Sequence, residues 1–181
     1  MGTVYTVGHG TRTIEELIGI LLEAGAEVVV DVRRFPGSRR HPHFARESLE
    51  RSLPGAGVAY EWWGEELGGR RSPPKEAASR HASLRVAAFR NFADHMDSPA
   101  FERALTRLRD RCAQTSVAIM CAETLWWRCH RRMISDALVV GGAEVVHLVA
   151  PGTSQPHKLF EVLRLDEQGR LCYDAGSLPG G

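Results

Sequence analysis

The chain has 181 residues, 43% of them hydrophobic and 25% charged, with a formal net charge of +1. That length fits one domain with a full-sized core, and the near-neutral balance excludes a global pull on nucleic acid or on a membrane surface, so any such attraction must be local. No apolar run reaches the roughly 18 residues of a membrane helix, and "MGTVYTVGHG" lacks the basic and apolar regions of a signal peptide.

In chain order, "TVYTV" (3–7) is a short β-rich run ending at Gly8-His9-Gly10. Thr13 and Glu16 then form a T-x-x-E capping box. Ile14, Leu17, Ile18, Leu21 and Leu22 follow at helical spacing, with Gly25 as the stop. "EVVVDV" (27–32) is a continuous apolar run of the kind that parallel strands buried on both faces require. These pieces make a β-α-β unit, which predicts a parallel sheet. Residues 33–46 form a loop by their Pro and Gly content, "ESLERSL" (47–53) a short helix stopped by Pro54, and "GVAYEW" (57–62) a third strand. The Gly-, Pro- and charge-rich stretch 68–80 is too long for a simple turn and reads as a flap.

A helix is predicted over 82–96 and another opening at Ser98-Pro99, with Phe101, Leu105 and Leu108 on one face. "SVAIMCA" (116–122) is a strand, residues 125–140 a helix ending at Gly141-Gly142, and "AEVVHLV" (143–149) the next strand. The tail, 150–181, suggests a hairpin made of "KLFEVLRL" and "LCYD" around Gln168-Gly169. The expectation is one α/β domain over 1–181, with four or five strands in a mostly parallel sheet and helices on both faces. In such sheets, ligands bind beyond the carboxyl ends of the strands. His9, Asp31 with Arg33, and Cys121 with Glu123 all fall at such ends.

The segments "VGHG", "VVVDVRRFPGSRRHPHF", "ELGG", "IMCAETLWWRCHR" and "EVVHL" occur in that order. Together they resemble the family catalogued as domain of unknown function 488, over roughly residues 3–149. Thr11 stands where the family's G-H-S-N pattern has Asn. The resemblance implies a compact α/β fold with a shared polar site and leaves the chemistry open.

The residues themselves take that chemistry further. Cys121, at a strand end before a helix, is placed for thiolate stabilisation by backbone N–H groups, with Arg33 or Arg131 lowering its pKa. The alternative is a side chain turned into the core. Cys129 lies on the apolar stripe of the expected helix and reads equally well as a small buried hydrophobe. His130 needs partners for two ring nitrogens, which favours orienting Glu123, Asp31 or a thiolate. Glu123 suits a general base or a helix-end charge, and Asp31 a site anchor or a structural ion pair. His9 is a candidate for acid–base work or phosphate contact, whereas His147 reads as a satisfied core histidine.

Cys121, Cys129, His130 and His147 would suffice for zinc, but C-x7-C-H lacks C-x2-C pairs. Neighbours on a helix also diverge by about 100°. No metal is therefore assigned.

The arginines point to the ligand. Arg33, Arg34, Arg39, Arg40 and Arg46 share a stretch with no acid between Asp31 and Glu47. Arg70 with Arg71, and Arg128 with Arg131 and Arg132, form two more basic segments. Phosphate is the simplest anion for such forks, and the paired tryptophans Trp62, Trp63, Trp126 and Trp127 would stack on bases where exposed, with Trp127 assigned to the ligand and Trp126 reading as core.

The reading that unites these features is a cytoplasmic protein, since four cysteines without a leader imply free thiols. Its polar pocket takes a nucleotide or nucleic acid, for binding or for a hydrolase or transferase reaction. His9, Asp31, Cys121, Glu123 and His130 would act; Arg33, Arg34, Arg39, Arg40 and Arg131 would hold the anion. A non-catalytic DNA- or RNA-binding module and a thiol or metal protein are the alternatives.

Overall fold

A computed structural model describes residues 2–75 and 77–175. The final residues of the expected tail, 176–181, lie outside the described residues. Five strands run parallel: β1 (Thr3–Gly8), β2 (Val28–Asp31), β3 (Ala59–Trp62), β4 (Val117–Cys121) and β5 (Glu144–Ala150). A sixth, β6 (Thr153–Pro156), adds antiparallel to β5, and the order across the sheet is β3-β2-β4-β1-β5-β6. The exposed TSQP segment has no apolar alternation, so β6 left no trace in the sequence pattern. The expected tail hairpin forms as β7 (Leu163–Leu165) and β8 (Leu171–Tyr173), a separate two-stranded sheet.

Helices cover both faces, and the period of two along the central strands divides the core accordingly. Val29, Ala118 and Met120 face one side, where they pack with Leu17, Ile20 and Leu21 of α1 (Ile14–Glu23) and Leu49 and Leu53 of α2 (Arg46–Gly55). Val28, Val30, Val117 and Ile119 face the other side. There they meet α3 (Gly64–Leu67), α4 (Ala87–Met96), α5 (Pro99–Gln114) and α6 (Arg131–Val140). Local signals set several helix boundaries. Both hydrogen bonds of the Thr13–Glu16 capping box form, Ser98 caps α5 with Pro99 at its first position, and Gly25 takes the left-handed conformation after α1.

The helices differ from expectation in several places: α2 runs through Pro54 to Gly55, α3 is unexpected, and two others start late. The predicted helix over 82–96 begins only at Ala87. The predicted helix over 125–140 is broken: a short 3-10 helix spans Trp126–Arg128, Cys129 is extended, and α6 starts at Arg131. The apolar spacing from Trp126 through Cys129 to Met133 imitates one continuous helix. No side chain caps α6, so nothing in the local sequence marks its true start.

The topology places β4 between β1 and β2, with Gly8 opposite Cys121 and Asp31 opposite Met120. The three strand ends that carry His9, Cys121 and Asp31 are therefore adjacent and level. The loop leaving β4 rests directly on Gly8, where a Cβ would lie 2.0 Å from the Glu123 carbonyl oxygen. Gly8→Ala must push that loop away, and overpacking of this kind costs about 1–3 kcal/mol. Chemical denaturation should show a loss of at least that size.

Candidate functional site

Asp31 is fully buried at the end of β2, and its partner is two residues away. Arg33 Nε donates to Asp31 Oδ1 at 2.9 Å and Nη2 to Oδ2 at 2.6 Å, while the Arg33 backbone N–H also reaches Oδ1 at 3.0 Å. Tyr60 Oη donates to Oδ2 at 2.6 Å. Arg33 Nη1 donates to His9 Nε2 at 3.1 Å and to the Phe44 carbonyl at 2.8 Å. His9 Nδ1 lies 3.0 Å from the Gly10 carbonyl oxygen, so the neutral ring carries its proton there and accepts from Arg33. Burial, with the adjacent Arg33 charge, lowers the His9 pKa to about 4. Burial likewise pushes the Tyr60 hydroxyl up, reinforced by Asp31. His9, expected to move protons, and Asp31, expected to anchor or orient, thus have their polar atoms engaged in a buried lock.

The reactive groups converge beside it. His130 Nδ1 lies 3.8 Å from Cys121 Sγ and 3.6 Å from Cys129 Sγ. His130 Nε2 donates to the Val32 carbonyl at 3.1 Å, which leaves Nδ1 unprotonated toward the thiols. Of the partners expected for His130, the thiols are the ones it faces. Interaction with the neighbouring Cys129, together with burial, pushes the Cys121 pKa up. Burial also pushes Cys129 up, but interaction with Cys121 and the charge and N–H groups of Arg131 outweigh it and bring Cys129 to about 7. Cys129, which the sequence left as a possible small buried hydrophobe, thus joins Cys121 at the cleft, with the Arg131 charge favouring its thiolate.

Both thiols and His130 open onto a cleft of about 470 Å³ that also meets Arg33, Arg34, Phe35, Gly69, Arg70, Glu123 and Arg128. Arg34 and Arg70, 36 residues apart in sequence, are joined by an Arg34 Nη1 hydrogen bond to the Arg70 carbonyl at 3.0 Å. Glu123 is exposed and accepts from the Leu125 backbone at 3.0 Å, which holds its carboxylate over the cleft.

Other sequence candidates sit elsewhere. Arg39 and Arg40 are exposed and are not among the cleft-lining residues. Arg131, expected to hold an anion, is 1% exposed and donates instead to the carbonyls of Glu123 and Thr124. Trp127 is 40% exposed and is likewise not a lining residue; it packs edge-on against the buried Trp126. Arginines already cover the faces of Trp62 and Trp63.

The family model described as Domain of unknown function DUF488 matches residues 13–138, well over half the chain. The chain belongs to the DUF488 family. The match is narrower than the resemblance over 3–149, so in this DUF488 protein "VGHG" and "EVVHL" lie beyond it. No curated protein and no solved structure matches the chain.

A second polar network of the DUF488 protein escaped the sequence reading. Asp136 accepts from His157 at 2.8 Å and from Tyr173 Oη at 3.0 Å. His157 meets His147 at 2.9 Å, and His147 meets Thr6 at 2.6 Å. His147 is the satisfied core histidine expected, and it stacks on Trp126 with ring centroids 4.1 Å apart. Asp136 and His157 carried no signal, because one lies on a helix and the other on a loop with no shared spacing.

Two outcomes follow from these two buried networks. Asp31→Asn leaves a buried guanidinium without its counter-charge and should cost about 3–5 kcal/mol in urea denaturation, whereas Tyr60→Phe should cost about 1 kcal/mol. Burial, chiefly, lowers His9 to about 4 and His147 to about 3 from an ordinary 6.5. Between those values and 6.5 the unfolded chain binds more protons, so the stability these rings contribute is present above 6.5 and is lost as pH falls below it. The urea midpoint should drop from pH 7 to pH 5, and ring NMR shifts at pH 5.5 should report both imidazoles neutral.

Proposed function

We propose that this DUF488 protein binds a phosphate-bearing ligand, a nucleotide or the end of a nucleic-acid strand, in the cleft at the carboxyl ends of its strands. The observation that carries this reading is the lining: Arg33, Arg34, Arg70 and Arg128 face Glu123 as the one acid among the described lining residues. With Arg33 tied to Asp31, the phosphate contacts fall to Arg34, Arg70 and Arg128. Arginine forks match phosphate oxygens in geometry as well as charge. Phe35 lines the same cleft with 62% of its surface exposed and Arg34 beside its ring. An exposed aromatic next to a cationic cleft supports a ligand with a planar base. Phe35 replaces Trp127 in that role.

The cleft also has a group for a hydrolytic or transfer step: Glu123 is the exposed carboxylate placed to take a proton. His9 and Asp31 support that chemistry by fixing the floor. Four free thiols among the described residues fit a reducing compartment such as the cytoplasm.

Titration with nucleotides and labelled short single strands tests the proposal. Removing one charge-assisted phosphate contact costs about 1.5–3 kcal/mol, or roughly tenfold to a hundredfold in affinity. Arg34→Ala and Arg128→Ala should each produce that loss, and rising salt should weaken binding throughout. Glu123→Gln should preserve or raise affinity while stopping any turnover. Failure of every phosphate-bearing ligand to bind, or affinity unchanged in the Arg34→Ala/Arg128→Ala double variant, overturns the reading.

A further inference from the structure

At the inner wall of the cleft, Cys121 Sγ, Cys129 Sγ and His130 Nδ1 all lie within 4.8 Å of one another. Zinc bonds of about 2.3 Å to sulfur and about 2.0–2.1 Å to nitrogen set S···N edges of about 3.6 Å in a tetrahedron. The two S···N separations here are 3.8 and 3.6 Å. The objection from sequence, that neighbours on a helix diverge, does not apply. Cys129 is extended, ahead of α6, and its thiol turns toward the same point as the His130 ring.

Three further features are those of a ligand set. The His130 ring is oriented by donation of its Nε2–H to the Val32 carbonyl, the outer contact that fixes the tautomer of metal-binding imidazoles. Gly69 meets the same ring: a Cβ there would lie 3.0 Å from His130 Nδ1, and the glycine keeps the approach to that nitrogen open. All three ligand residues also line the cleft, so a fourth coordination position faces solvent.

We propose that Cys121, Cys129 and His130 form a three-ligand zinc site whose fourth position opens into the cleft. Two thiolates and one imidazole are a soft donor set that suits zinc and disfavours magnesium or calcium. Two thiolates balance the charge of the divalent ion and leave the arginine rim for an anionic ligand. Binding releases the thiol protons to solvent, so affinity falls as pH is lowered. Three protein ligands with one open position is the arrangement of catalytic and not of structural zinc. The proposal stands apart from the phosphate reading: zinc uptake without nucleotide affinity upholds one and overturns the other.

The test is titration of the reduced, chelator-treated full chain with zinc ion against a chromophoric chelator, followed by cobalt substitution. One equivalent should bind, and the cobalt form should show thiolate-to-metal charge-transfer absorption and tetrahedral ligand-field bands. Cys129→Ser and His130→Gln should each weaken binding beyond the roughly tenfold to hundredfold that loss of an outer-shell partner costs. Circular dichroism separates that loss from unfolding. Gly69→Ala keeps all three ligands and should weaken binding by crowding Nδ1. No uptake by the folded, reduced wild type overturns the proposal. So does uptake indifferent to Cys129→Ser, and so does a Cys121–Cys129 disulfide that takes up no zinc after reduction.

Discussion

The buried ion pair between Asp31 and Arg33 is the interaction from which the site is built. Removing two charges from water is costly, and such a pair holds only when its remaining hydrogen-bonding groups are satisfied. Here both carboxylate oxygens accept two or more donors, from Arg33 and from Tyr60 of β3. The guanidinium in turn reaches His9 after β1 and the Phe44 carbonyl in the loop before α2. One pair thus ties three strands and a loop together and fixes the backbone between its members. That backbone includes the Val32 carbonyl, which orients His130, and through His130 the lock reaches the two thiols.

A second constraint works from the opposite side. Cys121 and Cys129 come together only because the loop between them folds back on itself. Buried Arg131 holds that loop from below by the carbonyls of Glu123 and Thr124, and Gly8 lets the same residues rest on β1. The clasp presents Glu123 and Arg128 to the cleft while withdrawing Arg131 from it. Behind the loop, the chain from Asp136 through His157 and His147 to Thr6 anchors α6 to β5 and β1. Trp126 stacks on its central ring. The base of the cleft is densely hydrogen-bonded and its lining is cationic, which supports the proposed binding of an anion.

The parallel sheet was legible because continuous apolar runs such as 27–32 have few other uses. The helices α1 and α5 were legible because caps and helical spacing agreed. The strand-end rule puts His9, Asp31, Cys121 and Glu123 at the carboxyl ends of their strands, and their convergence then depends on those strands being neighbours. Roles were less legible than places. Asp31 and His9 lie beside the candidate site without lining its cleft, because whether a polar group is exposed for chemistry or sealed into a network depends on partners distant in sequence, such as Tyr60 and Phe44. Cys129 and His130 were obscured for a local reason. The apolar spacing through 126–140 continues across a break that no capping residue announces, so two convergent side chains read as divergent ones.

By itself, then, the sequence determined the fold class, the strands that make up the parallel sheet and the strand ends on which the candidate residues fall. These follow from short-range periodicity and from the general geometry of parallel sheets. Only the tertiary structure decided that β4 lies between β1 and β2, that Arg131 is buried while Arg34 and Arg70 meet across the cleft, and that two thiols and an imidazole share one point. Each of these depends on contacts between residues remote along the chain, whose hydrogen bonds and burial no local pattern encodes.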